Sequence, residues 1–190
     1  FAARHDHYAL IELSAGQDVI EAVLGAAFEA GDIADAVIAA SSAQAAALWQ
    51  LRETIPEALN HAGSVIRHDV SVPLSRIAEF LDAAHACAQA TIPGVHITPF
   101  GHIGDGNIHF NLVQPEGGDR EGFLARTHEI ETAIHDIADA LDGSFSAEHG
   151  IGQLKRGELA RYKPAAAREQ MRRIKRAFDP KGIMNPGKVL

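Results

Sequence analysis

Between positions 99 and 111 the chain reads Pro99-Phe-Gly-His-Ile-Gly-Asp-Gly-Asn-Ile-His-Phe-Asn111. Asp105-Gly106 is a strong two-residue hairpin signal, because the favoured turns demand positive φ, which Asp and Gly tolerate. A turn at that point sets His102 opposite His109, Ile103 opposite Ile108 and Gly104 opposite Asn107. Directly opposed residues of an antiparallel pair hold their Cβ atoms about 4.5–5.5 Å apart, close enough for two imidazoles to grip one metal ion. The period of two puts Phe100 and Asn111 on that face and the two isoleucines on the other. A second stretch, Ser146-Ala-Glu-His-Gly-Ile-Gly152, supplies the carboxylate of Glu148 beside another histidine, His149. Two histidines and a carboxylate make a three-ligand site with one position open, as a catalytic metal requires. Neighbouring residues of an extended chain point apart, so Glu148 and His149 share one site only if the backbone turns there. Gly150 and Gly152 permit such a turn. Taken singly, a histidine or an Asp-Gly turn is ordinary structure; a cross-strand histidine pair followed by Glu-His is hard to account for by packing alone.

Elements that position these residues follow from periodicity. Residues 8–13 alternate and predict a strand; residues 18–30 predict a helix ending near Gly31; residues 34–39 predict a short buried strand. Ser41 or Ser42 caps a helix reaching about Leu59, which Pro56 bends or interrupts. Residues 65–72 predict a strand, and Pro73 starts a helix over 74–90. The hairpin follows, then a helix over 119–141 and two more near the C-terminus. Strand-helix-strand repeated twice and followed by a hairpin implies an α+β fold, an antiparallel sheet with helices on one face plus C-terminal helices. Cys87 continues the spacing of Ile77, Phe80 and Ala84, a core position rather than a reactive one.

A chain of 190 residues suits one domain, here residues 1–190, with a real core. No apolar run reaches the roughly 18 residues of a membrane span, and the start does not read as a signal peptide. One cysteine excludes an internal disulfide and suits a reducing compartment, so a cytoplasmic location is expected, with peripheral membrane association left open. The net charge of −8 hides an asymmetry, since from Lys155 onward eleven Lys/Arg face three Asp/Glu. That basic tract lacks interleaved aromatics on which bases could stack, and the chain is acidic as a whole, so nucleic acid is not an expected partner. A solvated face, or one that docks on an acidic surface, is the reading adopted.

Four stretches carry a resemblance to a known family: Leu48-Trp-Gln-Leu-Arg-Glu53, Gly101 to Asn111, Ser146 to Gly152, and Phe178-Asp-Pro-Lys-Gly-Ile-Met-Asn-Pro-Gly-Lys188. In order and spacing they resemble the C-terminal, substrate-side domain of flavin-linked oxidases, the group of D-lactate, glycolate and D-2-hydroxyglutarate dehydrogenases. The resemblance implies a ferredoxin-like sheet and oxidation of a D-2-hydroxy acid by hydride transfer to FAD. It also implies that the FAD is held by an N-terminal module with no counterpart here, so that the chain is expected to be an N-terminally truncated piece of the enzyme, inactive alone. His102, His109 and Glu148 match the family's metal ligands, with zinc the expected ion and manganese or ferrous iron compatible with the same donors. His149 matches the general base, and Arg52 the carboxylate-binding arginine. Arg67 and Asn111 match substrate contacts, and Asn185 a contact to the flavin. Arg67 stands where the D-2-hydroxyglutarate branch has a lysine, and Pro56 where it has a threonine; His68 reads equally as a structural strand residue. Implied partners are a small 2-hydroxy acid, the FAD-binding module and an electron acceptor, and a homodimer is compatible. Two other readings compete: a non-haem iron oxygenase with a two-His-one-carboxylate site, and a binding module without catalysis. That oxygenase class takes its first histidine and its carboxylate from one short motif, whereas Glu148 is far from the hairpin.

Overall fold

Strands form where β-branched and aromatic residues alternate with polar ones. The computed structural model describes residues 3–14 and 16–190, and these fall into two compact units, Phe1–His61 and Ala62–Leu190. In the second unit β1 (Val65–Ser71), β2 (His96–His102) and β3 (Asn107–Val113) form one antiparallel sheet in the order β1-β3-β2. No helix is long and apolar enough to cross a membrane among the described residues.

The first unit contains α1 (Gln17–Ala30), α2 (Ser42–Glu53) and α3 (Ile55–His61). Gly31 ends α1 in the left-handed region at φ 78°, a conformation glycine adopts without a Cβ penalty. The Ser41 hydroxyl caps α2 by accepting from the amide of Gln44 at 3.3 Å. The long helix expected here is broken at Thr54, and Pro56 falls in the first turn of α3, where a missing N–H removes no helical bond. Residues 8–13 and 34–39, expected as strands, form no regular structure. Alternation yields a strand only where a second edge supplies hydrogen bonds, and this unit has no strand among its described residues.

In the second unit α4 (Ile77–Thr91), α5 (Arg120–Ala125), α6 (Thr127–Ala140), α7 (Arg156–Tyr162) and α8 (Ala165–Phe178) join the sheet. The predicted helix over 119–141 divides at Arg126, after Asp119 caps α5 by accepting from the amides of Glu121 and Gly122. One sheet face, Ile66, Val70, Ile108, Phe110 and Leu112, packs against Phe80, Ala84 and Ala88 of α4 and Ile130, Ile134 and Ala138 of α6. Phe80 meets Phe110 edge to face at 6.0 Å, and Cys87 lies at the margin of this core. The order β-α-β-β-α is that of a ferredoxin-like fold up to its last strand. At that place, after α6, the chain returns along β1: Ser71 and Ser144 exchange backbone bonds of 3.0 and 2.7 Å, and the Ala147 amide donates to the Asp69 carbonyl at 3.1 Å. The fourth strand is thereby reduced to a bridge, which frees residues 146–152 to curve.

His68 belongs to the core face. Its Nδ1 donates to the Phe110 carbonyl at 2.7 Å, and its ring lies 6.1 Å from that of His135 on α6. Burial pushes both imidazoles down to about 4 from an ordinary 6.5, so the fold holds them neutral. An unfolded chain would bind protons more readily at both positions. Stability is therefore full above pH 6.5 and falls as pH drops toward the folded values, by about 1.4 kcal/mol per pH unit for each histidine. Urea unfolding between pH 6.5 and about 5, above the carboxylate range, should show this slope, and His135→Phe should reduce it by about half; a midpoint independent of pH would contradict it.

Candidate functional site

The hairpin that carries two of the histidines turns more widely than Asp-Gly suggests. Residues Ile103–Asp105 make one turn of 3-10 helix and Gly106 follows in the left-handed region at φ 67°. His102 therefore pairs with Asn107 and Phe100 with His109, correcting the direct His102–His109 pairing. Gly101, and not Ile103, opposes Ile108, and Ile103 is exposed in the turn. A tertiary contact selects this turn: the Gly106 carbonyl accepts from the Val72 amide at 3.0 Å, and a Cβ on Gly106 would overlap the Val72 carbonyl. Widening the loop from two residues to four leaves the side-chain parity unchanged, so His102 and His109 still share a face. A slip of one residue would have separated them.

β3 is the central strand, and its other neighbour brings a further residue to the same face. Asp69 lies opposite His109, and Arg67 opposite Asn111. Asp69 is 2% exposed. Its Oδ2 accepts from the amides of Glu148 and His149 at 2.9 and 2.8 Å, and its Oδ1 from the side-chain amide of Asn107 at 3.0 Å. Burial alone would raise this carboxyl, but those hydrogen bonds outweigh it and hold Asp69 below the usual range. With Gly150 at φ 70° and Gly152 at φ 54°, the backbone turns and both Glu148 and His149 reach the site.

Glu148 joins the two hairpin histidines, with Oε1 3.0 Å from His102 Nδ1 and Oε2 3.3 Å from His109 Nε2. Asp69 lies 3.7 Å from His109 Nδ1 and 3.6 Å from His149 Nδ1, and the rings of His109 and His149 stack at 5.7 Å. Asp69, His109, Glu148 and His149 each offer a ligand atom within 4.8 Å of the others, and His102 joins through Glu148. Such a set fits a divalent cation by the chemistry of its donors, imidazole nitrogens flanking carboxylate oxygens. Lys155 helps fix the loop by donating to the Phe145 carbonyl at 3.1 Å.

Other expected residues fall in different places. Arg67 is exposed on the face that bears His109. Asn111 is buried beside it, and its amide donates to the carbonyls of Thr98 and His109 at 3.2 and 3.0 Å, a brace for the sheet. Arg52 lies in the last turn of α2, in the first unit. Asn185 adopts φ 47° in an exposed C-terminal turn, and four residues on, the Val189 amide donates to the Gly152 carbonyl at 2.7 Å. Asp69 is the residue that sequence reasoning missed. Its only trace is a carboxylate in the polar phase of Arg67-His-Asp-Val-Ser71, and the pairing of β1 with β3 that gives it meaning crosses some forty positions of chain.

The family model described as "FAD linked oxidases, C-terminal domain" matches residues 1–189. The chain is 39% identical over 193 residues to a D-2-hydroxyglutarate dehydrogenase of Xanthomonas citri pv. viticola, covering 100% of this chain and 41% of that protein. It is 36% identical to one of Stutzerimonas stutzeri, covering 96% of this chain and 40% of the relative. A mitochondrial one of Arabidopsis thaliana is 34% identical, with 100% and 33% covered. The chain thus spans a third to two fifths of the length of these relatives.

The hairpin geometry can be tested without a ligand. Gly106→Ala forces a left-handed alanine against the Val72 carbonyl and should cost at least about 1–2 kcal/mol in urea unfolding. Gly104→Ala, with nothing within 4 Å of its Cβ, should change stability by less than about 0.5 kcal/mol.

Proposed function

Because the chain belongs to the family of FAD-linked oxidase C-terminal domains, we propose that it is the substrate- and metal-binding part of a flavoenzyme oxidising a D-2-hydroxy acid to the 2-oxo acid. The convergence of His102, His109, Glu148 and His149 on one patch carries this reading. His102, His109 and Glu148 would hold a divalent cation, with zinc the proposed ion. When bound, that cation lowers the pKa of a coordinated hydroxyl much as it does that of water. FAD, held by another part of the enzyme, would supply the hydride acceptor.

His149 is the proposed base. Its side chain is 61% exposed, and with Nδ1 turned to Asp69 its Nε2 is the atom left to take the substrate's hydroxyl proton. Its amide is anchored by Asp69 and Gly150 follows at positive φ, which keeps its ring beside the proposed ligands. The named relatives act on 2-hydroxyglutarate, a diacid, and a diacid calls for two cations. Arg67 is proposed to take one carboxylate, its planar guanidinium forming two parallel hydrogen bonds, and Arg52 is proposed as a carboxylate-binding residue of the first unit. Arg67 is suited to the far carboxylate: it stands two residues along β1 from Asp69, about 7 Å by strand rise. Asn111, opposite Arg67, keeps that part of the platform rigid and borders the same substrate end. Asn185 is the proposed flavin contact on this side, tied to the His149 loop through Val189 and Gly152.

The division of labour is testable in the complete flavoenzyme. His102→Ala and His109→Ala should each remove bound zinc and nearly all turnover. His149→Ala should retain zinc and slow the hydride step by about 10²–10⁴-fold. Arg67→Ala should raise KM for D-2-hydroxyglutarate far more than for D-lactate, because only the diacid loses a partner. Loss of zinc in His149→Ala with retention in Glu148→Ala would reverse the roles of these neighbours. Oxygen uptake dependent on 2-oxoglutarate would replace the reading with an iron oxygenase.

A further inference from the structure

Asp69 is buried in the middle of a strand, carries a charge and lies against both histidines that face it, yet the proposed chemistry gives it no task. Three consecutive amides converge on this one residue: Ala147 donates to its carbonyl, and Glu148 and His149 to its carboxylate. A fourth donor, Asn107, comes from β3. A buried carboxylate is tolerated only when hydrogen-bonded this fully. Moving it would therefore disturb the loop at the two residues that do the chemistry.

We propose that Asp69 is the positioning residue of this site: it folds the Glu148-His149 turn onto the hairpin and holds both His109 and His149 with the proton on Nδ1. The inference rests on the reading of His102, His109 and Glu148 as a metal site. Asp69 lies 3.7 Å from Nδ1 of His109 and 3.6 Å from Nδ1 of His149, so a proton on either nitrogen is favoured by the facing negative charge. Nε2 of each ring then carries a lone pair. For His109 that nitrogen faces Glu148 Oε2 at 3.3 Å, so the Nδ1 tautomer is set by Asp69 when a cation held by His109 and Glu148 offsets the Glu148 charge. For His149 the lone pair remains available to accept a proton. One carboxylate thus sets a ligand and a base in the same tautomer. An outer carboxylate on a ligand histidine orients the ring and raises its basicity. Here the same group extends that service to a non-ligand neighbour.

The substitution that isolates the charge is Asp69→Asn. Its amide oxygen can still accept from the Glu148 and His149 amides. Its new NH2 group can be accommodated if the Asn107 side chain turns over, because Asn107 Oδ1 is buried and without a partner. The turn is therefore retained while the charge facing the imidazoles is lost. Zinc binding to the full 190-residue chain, measured by competition with a chromophoric chelator, should weaken by about 10–100-fold in this variant while the urea midpoint stays near that of the parent. Equal zinc affinity in parent and variant would overturn the proposal. Independently of any variant, long-range 1H–15N spectra of the zinc-loaded parent chain at pH 8 should show the proton of His109 and of His149 on Nδ1. A proton on Nε2 of either ring would overturn it even if Asp69→Asn failed to fold. If the parent chain binds no zinc while His102→Ala behaves identically, the metal-site reading falls, and the tautomer of His149 in the metal-free chain decides the role of Asp69.

Discussion

A carboxylate buried within a sheet must find hydrogen bonds or cost several kcal/mol, and the donors Asp69 finds are the ones that assemble the site. Its carboxylate sits on β1, which has β3 on one side and the edge of the sheet on the other. The edge is where the chain returns after α6, so the amides of Glu148 and His149 meet that demand instead of continuing a fourth strand. Asn107 meets it from β3. Had the returning segment paired regularly beyond Ser144 and Ala147, its side chains would alternate, and Glu148 and His149 would point to opposite faces. The truncated strand is thus a condition of the site.

The same constraint explains what was and was not legible in the sequence. Local features were readable: the Gly31 helix end, the Ser41 cap, the strand of β1, the hairpin and the shared face of His102 and His109. The face survived an incorrect turn because two extra loop residues preserve parity, whereas direct pairing depends on the exact loop length. That length was set by Val72 holding Gly106, a contact between segments more than thirty residues apart that no local pattern encodes. Asp69 was illegible for the same kind of reason. Alternation puts it on one face with Arg67 and Ser71, but only the β1–β3 register reveals that the face belongs to His109. The strands expected at residues 8–13 and 34–39 failed in the opposite sense: the first alternates and the second is apolar, but no partner edge exists within their unit among the described residues, and none of residues 34–39 is buried.

The charge asymmetry follows a comparable logic. The basic C-terminal tract invites a reading as a binding face, but much of it is engaged within its own helices. Arg172, Arg173 and Arg176 all lie around Glu169, Lys175 pairs with Asp179, and Arg161 reaches across to Asp136 at 2.7 Å. Exposed pairs of this kind contribute little to stability. They do reduce the free cationic surface that a phosphate backbone would need. Asp179 in turn accepts from the amides of Ile183 and Met184, which fixes the start of the closing Asn-Pro-Gly-Lys turn. The C-terminal charges therefore shape the segment that Val189 ties to Gly152 and the His149 loop.

Within the cluster, rigidity is graded in a way that suits different tasks. His109 comes from the central strand, its side chain 14% exposed, with Phe100 5.0 Å from its ring and Asp69 opposite it. A ligand presented from such a position holds its place without the cation, which keeps the ordering cost of binding low. His102 stands at the end of an edge strand and Glu148 on a loop, with side chains 50% and 44% exposed, so both can adjust to close a coordination shell. His149, between an amide fixed by Asp69 and a glycine at positive φ, is anchored at its backbone but open at its ring. A group that must receive a proton from a substrate and later release it needs solvent access on one side and a fixed partner on the other. A strand position would deny the first, and a free loop the second. The turn held by Asp69 supplies both, which is why the proposed base and the proposed ligand beside it can be consecutive residues.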